Sequence, residues 1–271
     1  MRVGRDNKKL AALTTLGVEP FAGNVEDVHS LKAAFAGAAA VYLVLPEDLS
    51  QEDLPAHQER VSDCYVTAIT EVGVRFVVNL SSIGAQHASG TGPIVGLHNQ
   101  EQKLSRIAKL NVLHLRAAYF MENLLMSVAP LRATGTLPGG MRGDVPMPWI
   151  ATRDIGDYAA SRLAARNFYG SSIQELHGQR DLSMNEAARI VGMAIDNAAV
   201  VYTQVPRSSL EVELLNMGLP KKTVGLILEM WDGANGGLIV AKEERSARNT
   251  TPTTLESFVK ETFVPAYFGV A

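Results

Sequence analysis

The residues best equipped for chemistry stand where short apolar runs stop. Ser81 and Ser82 close the run 74–80, and a hydroxyl at a strand end can hydrogen-bond a substrate carbonyl. The same pair can equally finish the strand by bonding its own backbone. Beyond them, His98 is the one titratable group nearby able to exchange a proton near neutral pH, although a lone helical histidine is more often a surface or packing residue. Tyr119, Phe120 and Asn123 follow another apolar run, 112–117, and offer an aromatic wall on which a flat ring can stack. The alternative puts Phe120 and Met121 in the core and Asn123 on backbone bonds. A third run, 40–45, ends at Val44, Leu45 and Pro46, whose backbone and apolar side chains can line the same cleft or simply terminate a strand.

Other chemistries find less support. The six histidines are scattered, with no ligand pair at helical spacing and no carboxylate cluster beside them, so a metal site is not expected. No G-x-S-x-G elbow presents a nucleophilic serine. Lys and Arg number 25 against 28 Asp and Glu, a net charge of −3, which lacks the basic excess of a nucleic-acid binder. Cys64 is the only cysteine, so no internal disulfide forms and a reducing, cytoplasmic setting is expected. No apolar run approaches the ~20 residues that span a bilayer, and the start, Met1-Arg2-Val3-Gly4-Arg5-Asp6, lacks the apolar stretch of a signal peptide.

The elements that must position these residues alternate. With 271 residues, 46% of them hydrophobic, the chain can bury a full core. The spacing predicts helices over 7–16, 30–35, 55–71, 97–108 and 120–133, and strands over 18–21, 40–45, 74–80 and 112–117. This βαβ rhythm implies a mainly parallel sheet that keeps its ligands at the strand ends. Segment 135–148, with four glycines and three prolines, interrupts the rhythm. It divides an α/β core, 1–134, from a smaller C-terminal α+β lobe, 135–271, parts of which return to the core. In that lobe Ser183-Met184-Asn185-Glu186 and Thr253-Thr254-Leu255-Glu256 match the S/T-x-x-E capping box, with a strand over 200–205 and helices over 208–217 and 221–233 between them.

Four segments resemble the NmrA-like family of atypical short-chain dehydrogenases: Asn79-Leu80-Ser81-Ser82, the stretch Leu115-Arg116-Ala117-Ala118-Tyr119-Phe120-Met121-Glu122-Asn123, Thr152-Arg153-Asp154-Ile155-Gly156, and Thr254-Leu255-Glu256-Ser257-Phe258. The resemblance implies a Rossmann-type domain binding NADP(H) or NAD(H), with a small C-terminal lobe closing over the nicotinamide. It also implies cofactor contacts at Arg5, Lys9, Asn24, Leu45, Pro46, Ser81, Ser82, Tyr119, Phe120 and Asn123. Arg5 would meet the adenosine 2′-phosphate with a fork of donors, which favours NADP over NAD, and Lys9 would add a second charge; both can also be plain surface charges. Asn24 stands where relatives usually carry an Asp at the adenine edge, and a simple turn explains it equally well.

Two departures from the family pattern matter. The chain starts on what resembles the family's second strand, so roughly 25–30 residues of the usual ~30-residue first βαβ unit, with its glycine-rich turn, are expected to be missing. In the 3-2-1-4-5-6 strand order that first strand is central, so its neighbours would lack ladder partners unless the sheet rearranges or another segment fills the gap. Gly90-Thr91-Gly92-Pro93-Ile94-Val95-Gly96 is no substitute: Pro93 has no N–H and the spacing is wrong, so it reads as a flexible loop. The Tyr-x-x-x-Lys pair of the hydride-transferring dehydrogenases is also absent, with no tyrosine between Ser82 and Tyr119 and Leu97 where some relatives carry lysine before Glu101. The catalytic candidates are therefore Ser81, His98 and Tyr119. The resemblance implies an NADPH-dependent reductase of a quinone or small carbonyl compound, for which hydride transfer needs little help from the protein. The alternatives are a non-catalytic NADP(H) sensor read by a partner protein and a form that no longer binds cofactor.

Overall fold

The computed structural model describes residues 1–4, 10–11 and 13–270. β1 (Arg2–Gly4) pairs in parallel with β2 (Pro20–Ala22), and Asp27 then caps α1 (Val28–Phe35) by accepting the amide of His29. β3 (Val41–Val44), α2 (Leu54–Val72), β4 (Phe76–Ser82), α3 (Ile94–Ser105) and β5 (Asn111–Ala117) follow in the predicted alternation. β3, β4 and β5 form a parallel ladder in which Val44 lies beside Leu80, and Ser82 beside Ala117, so that three strand ends share one edge. The strands read as near-continuous apolar runs because both sheet faces are covered. Val77, Leu43 and Val112 pack on one side with Leu31, Val61, Ile69 and Leu104, while Val78, Leu113 and Leu115 pack on the other with Ile155, Ala159 and Phe168.

Among the described residues β1 has no ladder partner except β2, and β3 none except β4. The sheet is thus divided where the expected strand order placed the family's first strand. Packing holds the two pieces to one core nonetheless, since Val3 and Phe21 lie against the cluster that contains Val41 and Leu43.

The single helix predicted over 120–133 is instead three elements: β6 (Tyr119–Phe120), a 3-10 turn (Met121–Ser127) and α4 (Val128–Thr134). Pro130 is the reason. Proline fits the first turn of a helix, but in the interior of a longer one its ring would strike the carbonyl four residues earlier. Then come β7 (Thr136–Gly139), β8 (Met147–Ile150), α5 (Thr152–Ala165) and β9 (Ser171–Leu176), which joins β5 as the fourth parallel strand of the main sheet. The remaining elements are β10 (Asp181–Leu182), α6 (Met184–Ala194), β11 (Val201–Gln204), α7 (Arg207–Asn216), α8 (Lys221–Asn235), α9 (Leu255–Phe258), a π turn (Val259–Phe263) and α10 (Val264–Phe268). They build two small sheets, β10-β8-β6 and β11-β7, around a core centred on Trp149, Leu182, Val191 and Phe263.

Ser183 and Glu186 make the full reciprocal capping box. The second box is displaced by one residue. Thr254, not Thr253, accepts the amide of Ser257, because Asp154 has taken both the amide and the hydroxyl of Thr253 at 3.0 and 2.6 Å. The Thr152-Arg153-Asp154 motif therefore staples the start of α5 to the chain's last helical segment. No helix among the described residues is long and apolar enough to cross a membrane.

Candidate functional site at the strand ends

Ser81 does not face a cleft. Its hydroxyl donates to Glu101 Oε1 at 2.5 Å, and Arg116 holds the same carboxylate through Nε at 3.0 Å and Nη2 at 2.7 Å. α3 lies over β4 and β5, so this ion pair is sealed, with Glu101 3% and Arg116 11% exposed at the side chain. Desolvating two charges is tolerated only when hydrogen bonds replace their water, and the bidentate geometry does that. The polar seam continues below it: Gln100 donates to Asn79, accepts from Ser62, and Asn79 meets His114 Nδ1 at 3.1 Å. Burial pushes the His114 imidazole down to about 4, so it is neutral at physiological pH. Sequence reasoning missed this pair, although Arg116, with His114 two residues before it, was a visible polar signal inside a mostly apolar strand.

Ser82 is half-buried and donates to the carbonyl of Ile83. The next segment, 84–96, carries the clearest sign of a site. Gln86 Nε2, His87 Nε2 and Thr91 Oγ1 are buried polar atoms with no hydrogen-bond partner. Such atoms are costly unless something satisfies them. His98 stands beside them with Nδ1 2.8 Å from the Ala85 carbonyl. A carbonyl only accepts, so Nδ1 carries the proton and Nε2 of the neutral ring is left as an acceptor.

The expectation of a flexible loop here is corrected by its packing. Gln58 donates to the Pro93 carbonyl at 3.0 Å, and α8 closes over the loop so tightly that a Cβ on Gly92 would stand 2.0 Å from the Leu226 carbonyl oxygen. Gly92, at φ +56°, is therefore required both by conformation and by space. α8 is itself tied to the start of α2 by Lys222 to Asp53 and by Thr223 to the Gln51 carbonyl.

Tyr119 and Asn123 border the same strand ends. The Tyr119 ring meets Trp149 edge to face at 4.8 Å, and burial raises its hydroxyl to about 12, with a hydrogen bond to Asn123 acting against that rise. Burial, and then the neighbouring Tyr119, also raises the Tyr202 hydroxyl, which donates to Met141. At neutral pH both phenols are donors and neither is a base. Phe120 packs with the sheet core and Met121 is 1% exposed, which matches the packing alternative for these two.

Leu45 is buried and Pro46 half-buried at the end of β3, where the Val44 carbonyl accepts from the Tyr65 hydroxyl. Asn24 follows β2 in the other sheet. It is exposed and its Oδ1 accepts the Glu26 amide, a local turn bond. Arg5 and Lys9 lie outside the described residues. Leu45, Pro46 and Ser82 thus stand at the adjacent ends of β3 and β4, His98 is tied to Ala85 just beyond β4, and Tyr119 and Asn123 follow the end of β5 with Tyr119 packed against the C-terminal core, whereas Ser81 is turned inward.

The family model described as the NmrA-like family matches residues 2–258. The chain belongs to that family. A curated relative of this NmrA-like protein, the NAD(P)H azoreductase of Xenophilus azovorans, is 26% identical over 229 residues, which cover 84% of this chain and 76% of the relative. Among solved structures, the NADPH-dependent quinone oxidoreductase of Escherichia coli in complex with NADPH superposes with a TM-score of 0.77 at 20% identity, covering 96% of this chain and 89% of that one. NmrA, a negative transcriptional regulator solved with NADP, superposes with a TM-score of 0.66 at 16% identity over 93% of this chain and 82% of that one. At these identities the structural likenesses establish the Rossmann-type fold.

Proposed function

We propose that this NmrA-like protein is an NAD(P)H-dependent reductase of a quinone or a small flat carbonyl compound, with NADP(H) preferred, working in the cytoplasm at the ends of β3, β4 and β5. The observation that carries the reading is the segment 84–96, where three buried polar side-chain atoms without partners sit at the end of the strongest strand. The names of the azoreductase and quinone-oxidoreductase relatives support the same reaction class.

These residues fit the flat end of a dinucleotide and its acceptor. The sequence after β1, Arg5-Asp6-Asn7-Lys8-Lys9, contains no glycine to form a diphosphate-binding turn. A bound cofactor would supply hydride. The chain's own part would be to line the cleft with Leu45 and Pro46, wall it with Tyr119, and offer the acceptor oxygen the neutral Tyr119 phenol, with the Ser82 hydroxyl joining as donor by turning away from the Ile83 carbonyl. A quinone spreads the charge it gains over its ring, so a dedicated proton donor matters less than orientation. His98, through the lone pair on Nε2, would hold a donor group of the acceptor or relay a proton from water.

One observation favours a second reading, a cofactor sensor read by a regulatory partner protein: Ser81, the serine at the end of the strongest strand, is spent with Arg116 on Glu101 and is not free for a substrate. NADPH consumption against a panel of quinones separates the two. The reductase reading expects turnover that Tyr119→Phe and Ser82→Ala each lower, and Arg5→Ala should weaken NADPH far more than NADH. Cofactor binding without turnover on any quinone would leave the sensor; equal losses for both cofactors would remove Arg5 from the 2′-phosphate.

A further inference from the structure

The C-terminal lobe contains a cavity that the strand-end site does not use. It has a volume of about 340 Å³ and opens between α7 and α8 beside the ends of β7 and β11. None of its lining residues is among those at the ends of β3, β4 and β5. α8 forms the partition: Leu228, Trp231, Asp232 and Asn235 line the cavity, whereas Leu226 and Gly233 press on the segment 84–96. We propose that this cavity is a second small-molecule site, selective for a planar aromatic compound that carries one anionic substituent.

The apolar part comes from Val205, Leu210, Leu228 and Trp231. Trp231 is only half-buried, and its ring is seated against Gly140, where a Cβ would stand 2.6 Å from the indole. An aromatic body gains most from such an indole wall, and the volume suits a ligand of one or two fused rings.

Gln204 adds a neutral, exposed amide at the edge, and the charged lining residues select the substituent. Asn235 is spent: its Nδ2 donates to the Gly140 carbonyl at 2.9 Å and its Oδ1 accepts the Arg142 amide at 2.7 Å. Asp232 accepts from Arg207 Nε at 3.0 Å. That contact fixes the guanidinium plane and leaves the two Nη groups without a hydrogen-bond partner among the described residues. Arg207, 56% exposed at the side chain, therefore presents an uncommitted two-nitrogen fork on the solvent side of an apolar pocket. A carboxylate or sulfonate accepts from such a fork bidentately. The Asp232 carboxylate opposes a second negative charge, so a dianion is disfavoured.

The chain's two tryptophans make the test direct, and the assay needs no cofactor. Trp149 is fully buried and its indole N–H donates to the Leu182 carbonyl, so a ligand in the cavity should move only the Trp231 indole resonance. The probes are naphthalene-2-sulfonate and neutral 2-naphthylmethanol, titrated into the full chain by calorimetry and followed by nitrogen-correlated NMR. The expected result is saturable sulfonate binding with a shift confined to the Trp231 indole. Arg207→Ala should weaken the sulfonate about tenfold and change the neutral probe less than twofold. Arg207 is exposed, so that variant should fold; Leu210→Phe, which fills the cavity, should weaken both probes. An unmoved Trp231 resonance at millimolar sulfonate, or equal effects of Arg207→Ala on the two probes, would overturn the proposal.

Discussion

Replacing Arg116 by Met should destabilise the protein more than any comparable change on its surface. The substitution keeps the volume but strips the Glu101 carboxylate of both guanidinium bonds, at 3.0 and 2.7 Å, leaving it the Ser81 hydroxyl alone in a pocket where its side chain is 3% exposed. Leaving a buried charge unpaired costs about 3–5 kcal/mol. With a urea dependence of about 3 kcal/mol/M for a chain of this size, the unfolding midpoint should fall by roughly 1–1.7 M. The companion experiment is Glu101→Leu combined with Arg116→Met. Removing both charges also removes their desolvation penalty, so the double variant should recover to within about 2 kcal/mol of the parent. Urea titrations by circular dichroism on the parent, the single variant and the double variant supply the comparison. A midpoint shift below about 0.3 M for Arg116→Met, or a double variant no better than the single one, would refute the view that this pair is a sealed, mutually dependent unit.

Other consequences are open to simpler tests. His114 is held near 4 against an ordinary 6.5, so it is neutral in both folded and unfolded chains above pH 7; between pH 6.5 and 4 the unfolded chain takes up the proton first and stability falls as the pH drops, by up to ~3 kcal/mol. His114→Gln should flatten that acid slope in urea titrations at stepped pH. Thr254→Ala removes a helix cap and should cost about 1 kcal/mol, whereas Thr253→Ala removes a buried bond to a carboxylate and should cost about 2; the reverse order would restore the sequence-based cap. Gly92→Ala should release α8 from the segment 84–96, seen as new protease cleavage in either, and a variant as resistant as the parent would contradict the packing described. In hydrogen exchange, β1 and β2, a two-stranded pair, should exchange well before β4 and β5, which have ladder partners on both sides.

How much of this was legible in the sequence can be argued element by element. β4 and β5 announced themselves because both faces are buried, so that, apart from polar residues at the strand ends, their apolar residues are interrupted only at Asn79, His114 and Arg116. β9 did not: Ser171, Gln174 and Glu175 make its sequence read as surface. Glu175 is nevertheless 2% exposed, because His177 and the amides of Lys242 and Glu243 bond its carboxylate. Burial alone would push that carboxyl up, and these bonds hold it below its usual range. Partners that arrive from distant segments are invisible to local pattern. The same holds at the site. The strand ends were found from periodicity, but whether Ser81 faces a substrate or a buried carboxylate depended on Glu101 and Arg116, 20 and 35 positions away in the chain. The turn at Asn24 and the close approach at Gly92 were equally decided by neighbours, one local and one across the cleft.

The decisive property of this chain is whether it takes a dinucleotide at the strand ends. Calorimetric titration of the full chain with NADPH and NADP⁺ answers that. Saturable binding of one cofactor per chain is expected, weakened by Tyr119→Ala and by Arg5→Ala. No binding at cofactor concentrations on the order of 1 mM would contradict it.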